Sequence, residues 1–417
     1  MSKKIGDIAY ITKLAGFEHT KYIQGNSVHT KLDDSYIPLF IGKTVRNGKI
    51  DMNFDWYISK NISEKLPRSQ LKKKSLVIPY VGTLGDLAIY DGSYPAHLGS
   101  NIAKIELNDN CGYSEEFVYY FLKSPYGQSL LLRDVQGAVQ KNITMEAIRE
   151  VELPDISIEE QNKIVYVLST IDYKLSLNEE IISNIESLSD MIYKYWFVQF
   201  NFPNDNNVCY KNNGGNMIWN DKLGQDIPEG WEVGNLYDIA NYINGLACQK
   251  YRPKQEVGLP VIKIKEMNYG ITSDTERVSS KIPVKYIIND DDILFSWSAT
   301  LEVKRWYGGI GGLNQHIFKV EPIKYGRNYT YIQLKNYIIN FIKIASSRKT
   351  TMGHITSDHI KDSIILLPPK ILVDKFENKI SPLYRIILNK SQENQQLNKL
   401  KNEILPLIFN GQIKIED

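Results

Sequence analysis

Positions spaced alternately four and three apart along residues 164–196 read Ile164, Leu168, Ile171, Leu175, Asn178, Ile182, Ile185, Ser189, Ile192 and Trp196, eight of the ten apolar. No Gly or Pro interrupts 164–197. A heptad seam sustained this long predicts one coiled-coil helix rather than a core-facing stripe. At about 1.5 Å per residue it is about 50 Å long, too long to lie inside one domain. The same seam moved on by 212 residues gives Phe376, Ile380, Leu383, Ile387, Lys390, Asn394, Leu397, Lys401, Ile404 and Ile408, seven of ten apolar. That predicts a second helix over 376–409, which Pro382 should kink because it removes a hydrogen bond. Paired antiparallel about their midpoints, the helices would set Asn178 against Asn394 and Ile182 against Lys390. A polar layer of this kind fixes register.

The phasing continues outside the helices. "GDIAYITKLAGFEHTKY" (6–22) resembles "YDIANYINGLACQKY" (237–251), and "IPLFIGKTVRNGKI" (37–50) resembles "LPVIKIKEMNYGIT" (259–272). "SLVIPYVGTLGDLAIY" (75–90) resembles "DILFSWSATLEVKRW" (292–306), "NIAKIE" (101–106) matches "HIFKVE" (316–321), and "NITMEAI" (142–148) matches "HITSDHI" (354–360). "VELPD" (151–155) is repeated as "ILLPP" (365–369). The offset drifts from 231 to 212, as duplicated domains with different loop insertions require. Within each copy, runs rich in Val, Ile, Tyr and Phe alternate with Gly and Asn turns and end in a helical pattern, at 115–132 and at 330–345. The expected fold is therefore mixed α/β (α+β): two similar globular domains and two long antiparallel coiled-coil helices, related as a pseudo-two-fold internal repeat. The boundaries read 1–155 for the first domain, 156–200 for the first helix, 226–369 for the second domain and 370–412 for the second helix. The Asn- and Gly-rich stretch within 201–225 reads as a linker.

Composition narrows the class. Of 417 residues, 42% are apolar and 24% charged, the balance of a folded protein of two or three domains. No apolar run reaches the roughly 18 residues a membrane span needs, and "MSKKIGDIAY" lacks the apolar core of a signal peptide. Cys111, Cys209 and Cys248 share no ligand spacing and read as reduced thiols, so the chain is expected in the cytoplasm. A net charge of +2 decides nothing, because only a binding face has to be basic. The basic stretches "RSQLKKK" (68–74) and "SSRKTT" (346–351) read first as solvated surface.

Catalytic signatures are missing. There is no G-x-x-x-x-G-K-[ST] loop, no H-E-x-x-H and no Asp/Asn-Pro-Pro-aromatic tetrapeptide of an amino-methyltransferase. "GGIGG" (308–312) reads as a hairpin turn, "DDD" (290–292) as a solvated turn, and His354 and His359 as ordinary polar residues. No metal site is expected.

Several segments carry a resemblance. "DIPEGWEVGNLYDIA" (226–240), "AGFEHTKY" (15–22), "QGAVQKNIT" (136–144) and "LPDISIEEQNKIVYVLSTID" (153–172) with its Glu-Gln pair resemble the specificity subunit of type I restriction-modification systems. The likeness runs through essentially the whole chain. It departs in places: the first copy lacks the Gly-Trp opening, and "PPKILVDKFENKI" lacks the Glu-Gln pair. The resemblance implies two target recognition domains, each reading one half of an asymmetric, gapped sequence in double-stranded DNA. The helices would set the gap and dock two modification subunits, which bring S-adenosylmethionine and methylate adenines. Restriction (helicase-nuclease) subunits would join with ATP and Mg. The chain itself would bind no cofactor and catalyse nothing.

Polar loops that place Lys and Arg on phosphates, and Gln, Asn, Thr and Arg on base edges, would do the reading. The candidates in the first domain are Thr20, Lys21, Tyr22, Lys43, Arg46, Thr83, Gln140, Lys141 and Asn142. In the second they are Gln249, Lys250, Tyr251, Lys263, Lys265, Ser296, Ser298, Arg305, Arg348, Lys349, Thr350 and His354. Two other readings stand beside this one: a self-contained methyltransferase or nuclease, which the missing motifs oppose, and a coiled-coil scaffold with two protein-binding domains and no nucleic acid.

Overall fold

The computed structural model describes residues 2–135, 142–204, 208–255, 257–347 and 354–415. The chain forms two compact units, one of Met1–Lys174 with Asn398–Asp417 and one of Leu175–Leu397. Each unit therefore holds one globular portion together with a stretch of both long helices.

In the first unit, Ala9–Lys13 pairs antiparallel with Ile102–Leu107, which pairs with Ser75–Pro79, which pairs with Ala88–Tyr90. The central strands are buried along almost their whole length, as their β-branched content favours. A second sheet runs Tyr57–Ser59, Tyr36–Phe40, Ala96–Leu98, Gln70–Leu71, its middle pair parallel. Lys3–Lys4 and Glu152–Leu153 close the unit as a short antiparallel ladder.

The second unit repeats this order. Its first sheet runs Ala240–Asn244, Ile317–Pro322, Ile293–Ser296, Glu302–Arg305. Its second runs Arg277–Val278, Leu259–Ile262, Gly311–Leu313, Ile287–Ile288, again with a parallel middle pair. Glu232–Gly234 with Ile365–Leu367 is the closing ladder. The segments matched in the sequence occupy the same strands, so the internal repeat is a structural duplication.

Four local expectations need correction. Residues 115–132 form two helices, Glu115–Lys123 and Pro125–Leu131, because Ser124 is extended and caps the second through its hydroxyl. Gly127 makes this corner possible: a Cβ there would stand 2.1 Å from the Phe121 carbonyl oxygen. The counterpart is a single helix, Arg327–Ser347. The GGIGG stretch is only partly a turn, since Gly311–Leu313 is a buried strand in which a Cβ on Gly312 would meet Val278 at 2.4 Å. The expected linker carries a hairpin, Met217–Asn220 against Gln225–Pro228, while Phe202 stacks on Tyr210 and Trp231. Asp291 of the DDD turn is not merely solvated: it holds the guanidinium groups of Arg305 and Arg327.

The first long helix is Ile158–Tyr193, capped by the Ser157 hydroxyl, and ends in a π turn over Lys194–Val198. The second is Lys370–Phe409 and runs through Pro382 without a break; the ring lies on its exposed side. In the first unit Ile164 and Leu168 join the core with Leu405, Ile408 and Phe409, while Ile171 is buried and Ile404 packs against that core. Phe409 meets Phe117 and Phe121 edge-on, centroids 5.7 and 5.4 Å apart. Lys401 pairs with Asp172, which also accepts from Tyr120.

In the second unit Asn178 is fully buried and donates to Asn394 at 2.8 Å and to Glu393 at 3.0 Å. Trp196 packs on Phe376, centroids 5.7 Å apart, so the two helices run antiparallel here. Ile182, Ile185, Ile192, Ile380, Leu383 and Ile387 line the same core, and Leu175 and Leu397 are half-buried.

The Glu-Gln pair has a structural task. Gln161 is fully buried; its amide donates to Gly112 and Ile156 carbonyls and accepts from the Ser114 N–H, tying the start of the long helix to the cap of Glu115–Lys123. The second copy does this differently. Glu377, a turn further along its helix, accepts from the Tyr329 N–H at 2.8 Å and from Asn328 at 2.7 Å.

A candidate nucleic-acid interface

The strands of the first sheet end in loops that the fold gathers. In the first unit, the Gly42 N–H donates to the Ser100 carbonyl at 3.0 Å, which brings the Lys43–Arg46 turn to the Ser100–Asn101 corner. Val81 bridges to Asn142, and the Ile143 N–H donates to the Tyr80 carbonyl at 2.9 Å. Lys43, Arg46, Thr83 and Asn142 are exposed on these neighbouring loops. Lys43 pairs with Asp55 at 2.8 Å, and Arg46 donates to the Lys43 carbonyl at 3.3 Å. Thr20, Lys21 and Tyr22 lie on a helical turn that packs on a separate apolar cluster containing Ile23, Ile37 and Ile58. The Lys21 ammonium sits 4.9 Å from the Tyr22 ring centre, and the Thr20 hydroxyl donates back to the Gly16 carbonyl.

In the second unit Gln249, Lys250 and Tyr251 are exposed at the turn Cys248–Lys250. Lys263 is paired with Glu276 at 2.5 Å and Lys265 with Asp274 at 2.6 Å. The Lys265 ammonium and the Thr272 hydroxyl hold the Asp274 carboxyl down to about 2, so that pair stays charged at any working pH. Three candidates turn inward. Ser296 is fully buried and its hydroxyl donates to the Ser298 carbonyl; Ser298 is itself buried. Only 5% of the Arg305 side chain is exposed, beneath the Tyr384 ring at 4.4 Å and donating to Asn328 at 2.6 Å. As placed, these three organise the interior of the unit rather than a surface. His354 is exposed, its ring 5.8 Å from Trp297. Gln140, Lys141, Arg348, Lys349 and Thr350 lie outside the described residues.

The loop ends also contain residues that charge and motif reasoning passed over. Lys13 lies 4.4 Å from the Tyr80 ring centre. Burial pushes the Tyr80 hydroxyl above its ordinary value, the Asn101 backbone acting the other way, so the phenol is neutral at physiological pH. The Trp297 indole N–H donates to Asn244 at 3.1 Å, and the ring lies 5.7 Å from His316.

Among the described residues, no group of three His, Cys, Asp or Glu side chains could hold a metal, and no helix is long and apolar enough to cross a membrane. Cys111, Cys209 and Cys248 form no disulfide. The same two-sheet α/β module, with polar loops at its strand ends, is thus present once in each unit. The type I restriction modification DNA specificity domain matches residues 1–187 and again 228–399, and the chain belongs to that family. The MjaIX type I restriction enzyme specificity subunit of Methanocaldococcus jannaschii is 25% identical over 337 residues, spanning 76% of this chain and 75% of its own. The HindI specificity subunit of Haemophilus influenzae is 24% identical over 339 residues, spanning 68% and 73%. The crystal structure of the type I restriction-modification S subunit from M. genitalium shares the fold, with a TM-score of 0.53 over 98% of this chain and 96% of that one at 15% identity.

Proposed function

We propose that this chain gives a type I restriction-modification complex its DNA specificity, each recognition domain reading one half of an asymmetric, gapped target. The two helices set the gap and dock two modification subunits. S-adenosylmethionine is bound there, and ATP and Mg by restriction subunits, in the cytoplasm. The chain performs no chemistry of its own. One observation carries the reading: the same two-sheet module is built twice on one antiparallel helix pair, with polar loops that differ between the copies. Two different half-sites need two different readers on a common frame. A gel shift with random duplex DNA at low and moderate salt, with and without a modification subunit, tests it. Binding that weakens steeply with salt is expected, from released phosphate counterions. No binding in either case would instead favour the protein-binding scaffold.

A further inference from the structure

We infer that base-specific reading is concentrated at four equivalent positions in each unit, most of them outside the charged loops. This rests on the reading of the chain as a DNA specificity subunit. In the first unit the positions hold Lys13, Tyr80, Asn101 and Asn142. In the second they hold Asn244, Trp297, His316 and His354.

The ladders establish the equivalence. Lys13 pairs with Ala103 and Pro79 with Ile102; in the other unit Asn244 pairs with Phe318 and Ser296 with Ile317. Tyr80 and Trp297 are therefore the next residues at the same strand end. The Tyr80 N–H donates to the Asn101 carbonyl at 3.1 Å, and the Trp297 N–H donates to that of His316 at 3.3 Å. The residue after Asn142 donates to the Tyr80 carbonyl at 2.9 Å, and the residue after His354 donates to that of Trp297 at 3.0 Å. One backbone frame holds all four positions in both units.

On that frame the side chains behave in two ways. Along the middle strand behind the loop end the copies share Ile102 and Ile317, Lys104 and Lys319, and Glu106 and Glu321, while Ala103 and Phe318 differ. At the four loop-end positions none agrees. Six of the eight residues are exposed, and the aromatic pair is half-buried beside them. Contacts to phosphate can be shared by two readers, because the DNA backbone carries no sequence; contacts to base edges cannot. The substitutions change what is offered to a base. The first unit offers a cation and two amides of the kind that pair with adenine, around a phenol. The second offers one amide and two imidazoles around an indole whose N–H is already held by Asn244. The aromatic ring supplies a rigid floor that orients its neighbours, as the 4.4 Å approach of Lys13 to Tyr80 shows.

The test exchanges exposed residues between the copies and reads the target. The chain is co-expressed with its modification subunit, and methylated adenines are mapped for the native protein, for Lys13→Asn with Asn142→His, and for His316→Asn with His354→Asn. Each double variant should alter one half-site, the two should alter different ones, and the gap should stay constant. With purified complexes, preference for the native target over random duplex should fall about tenfold or more, while affinity for random duplex is kept. A native motif left unchanged by both variants would overturn the inference alone, as would an equal loss of affinity for target and random DNA. A native complex that confers no motif would overturn the parent reading and this one with it.

Discussion

Lysines picked out for their charge meet carboxylates once the chain folds: Lys43 meets Asp55, Lys263 meets Glu276, and Lys265 meets Asp274. Their partners stand nine to thirteen residues away, across turns that a pattern of charges does not define. Arg305 goes further and becomes an interior tie, with its guanidinium between Asp291 and the Tyr384 ring. Arg305→Ala should lower the free energy of unfolding in urea by about 3 kcal/mol, since it leaves a partly buried carboxylate short of one partner. A change under about 0.5 kcal/mol would place that cation outside the unit's stability. Gln161→Ala should cost about 1–3 kcal/mol by the same assay, because it strands an N–H and two carbonyls around a fully buried site. The Glu-Gln pair was visible in the sequence. Its purpose was not, since Gln161 acts on residues nearly fifty positions earlier.

At the scale of elements, periodicity was the strongest signal, and the long helices follow it. A seam of this length is set locally, residue after residue, and tolerates Pro382 because its ring faces outward. The break at Ser124 was harder to foresee. It depends on Pro125 and on how closely Gly127 passes the Phe121 carbonyl, which is tertiary geometry. The hairpin at 217–228 was hidden by its Asn and Gly content, although it lies beside an aromatic cluster of Phe202, Tyr210 and Trp231. The buried Asn178 is a polar layer within an apolar seam, and such layers exchange stability for register. Replacing both Asn178 and Asn394 with Leu should raise the unfolding free energy by about 1–3 kcal/mol. Cross-links between cysteines placed on facing seam positions should then report more than one register. Greater stability with a single unchanged register would sink the role assigned to this layer.

For the molecule as a whole, the duplication was legible because the strands of both copies kept their apolar pattern while the loops drifted. The candidate reading surfaces were far less legible. The repeats could be aligned in the sequence, but only the ladders show that Lys13, Tyr80, Asn101 and Asn142 meet at one end of one sheet. On the function proposed above, two readers stand on a helix pair whose length fixes the spacing of their half-sites. Removing one matched heptad, 179–185 from the first helix and 387–393 from the second, keeps Asn178 against Asn394 and shortens the pair by about 10 Å. At about 3.4 Å per base pair, that is a gap shorter by about two to three base pairs. Mapping methylated adenines in cells that carry the shortened chain with its modification subunit measures this directly. Both half-sites should stay unchanged with a shorter gap between them; an altered half-site with the original gap would overturn the role given to the helices.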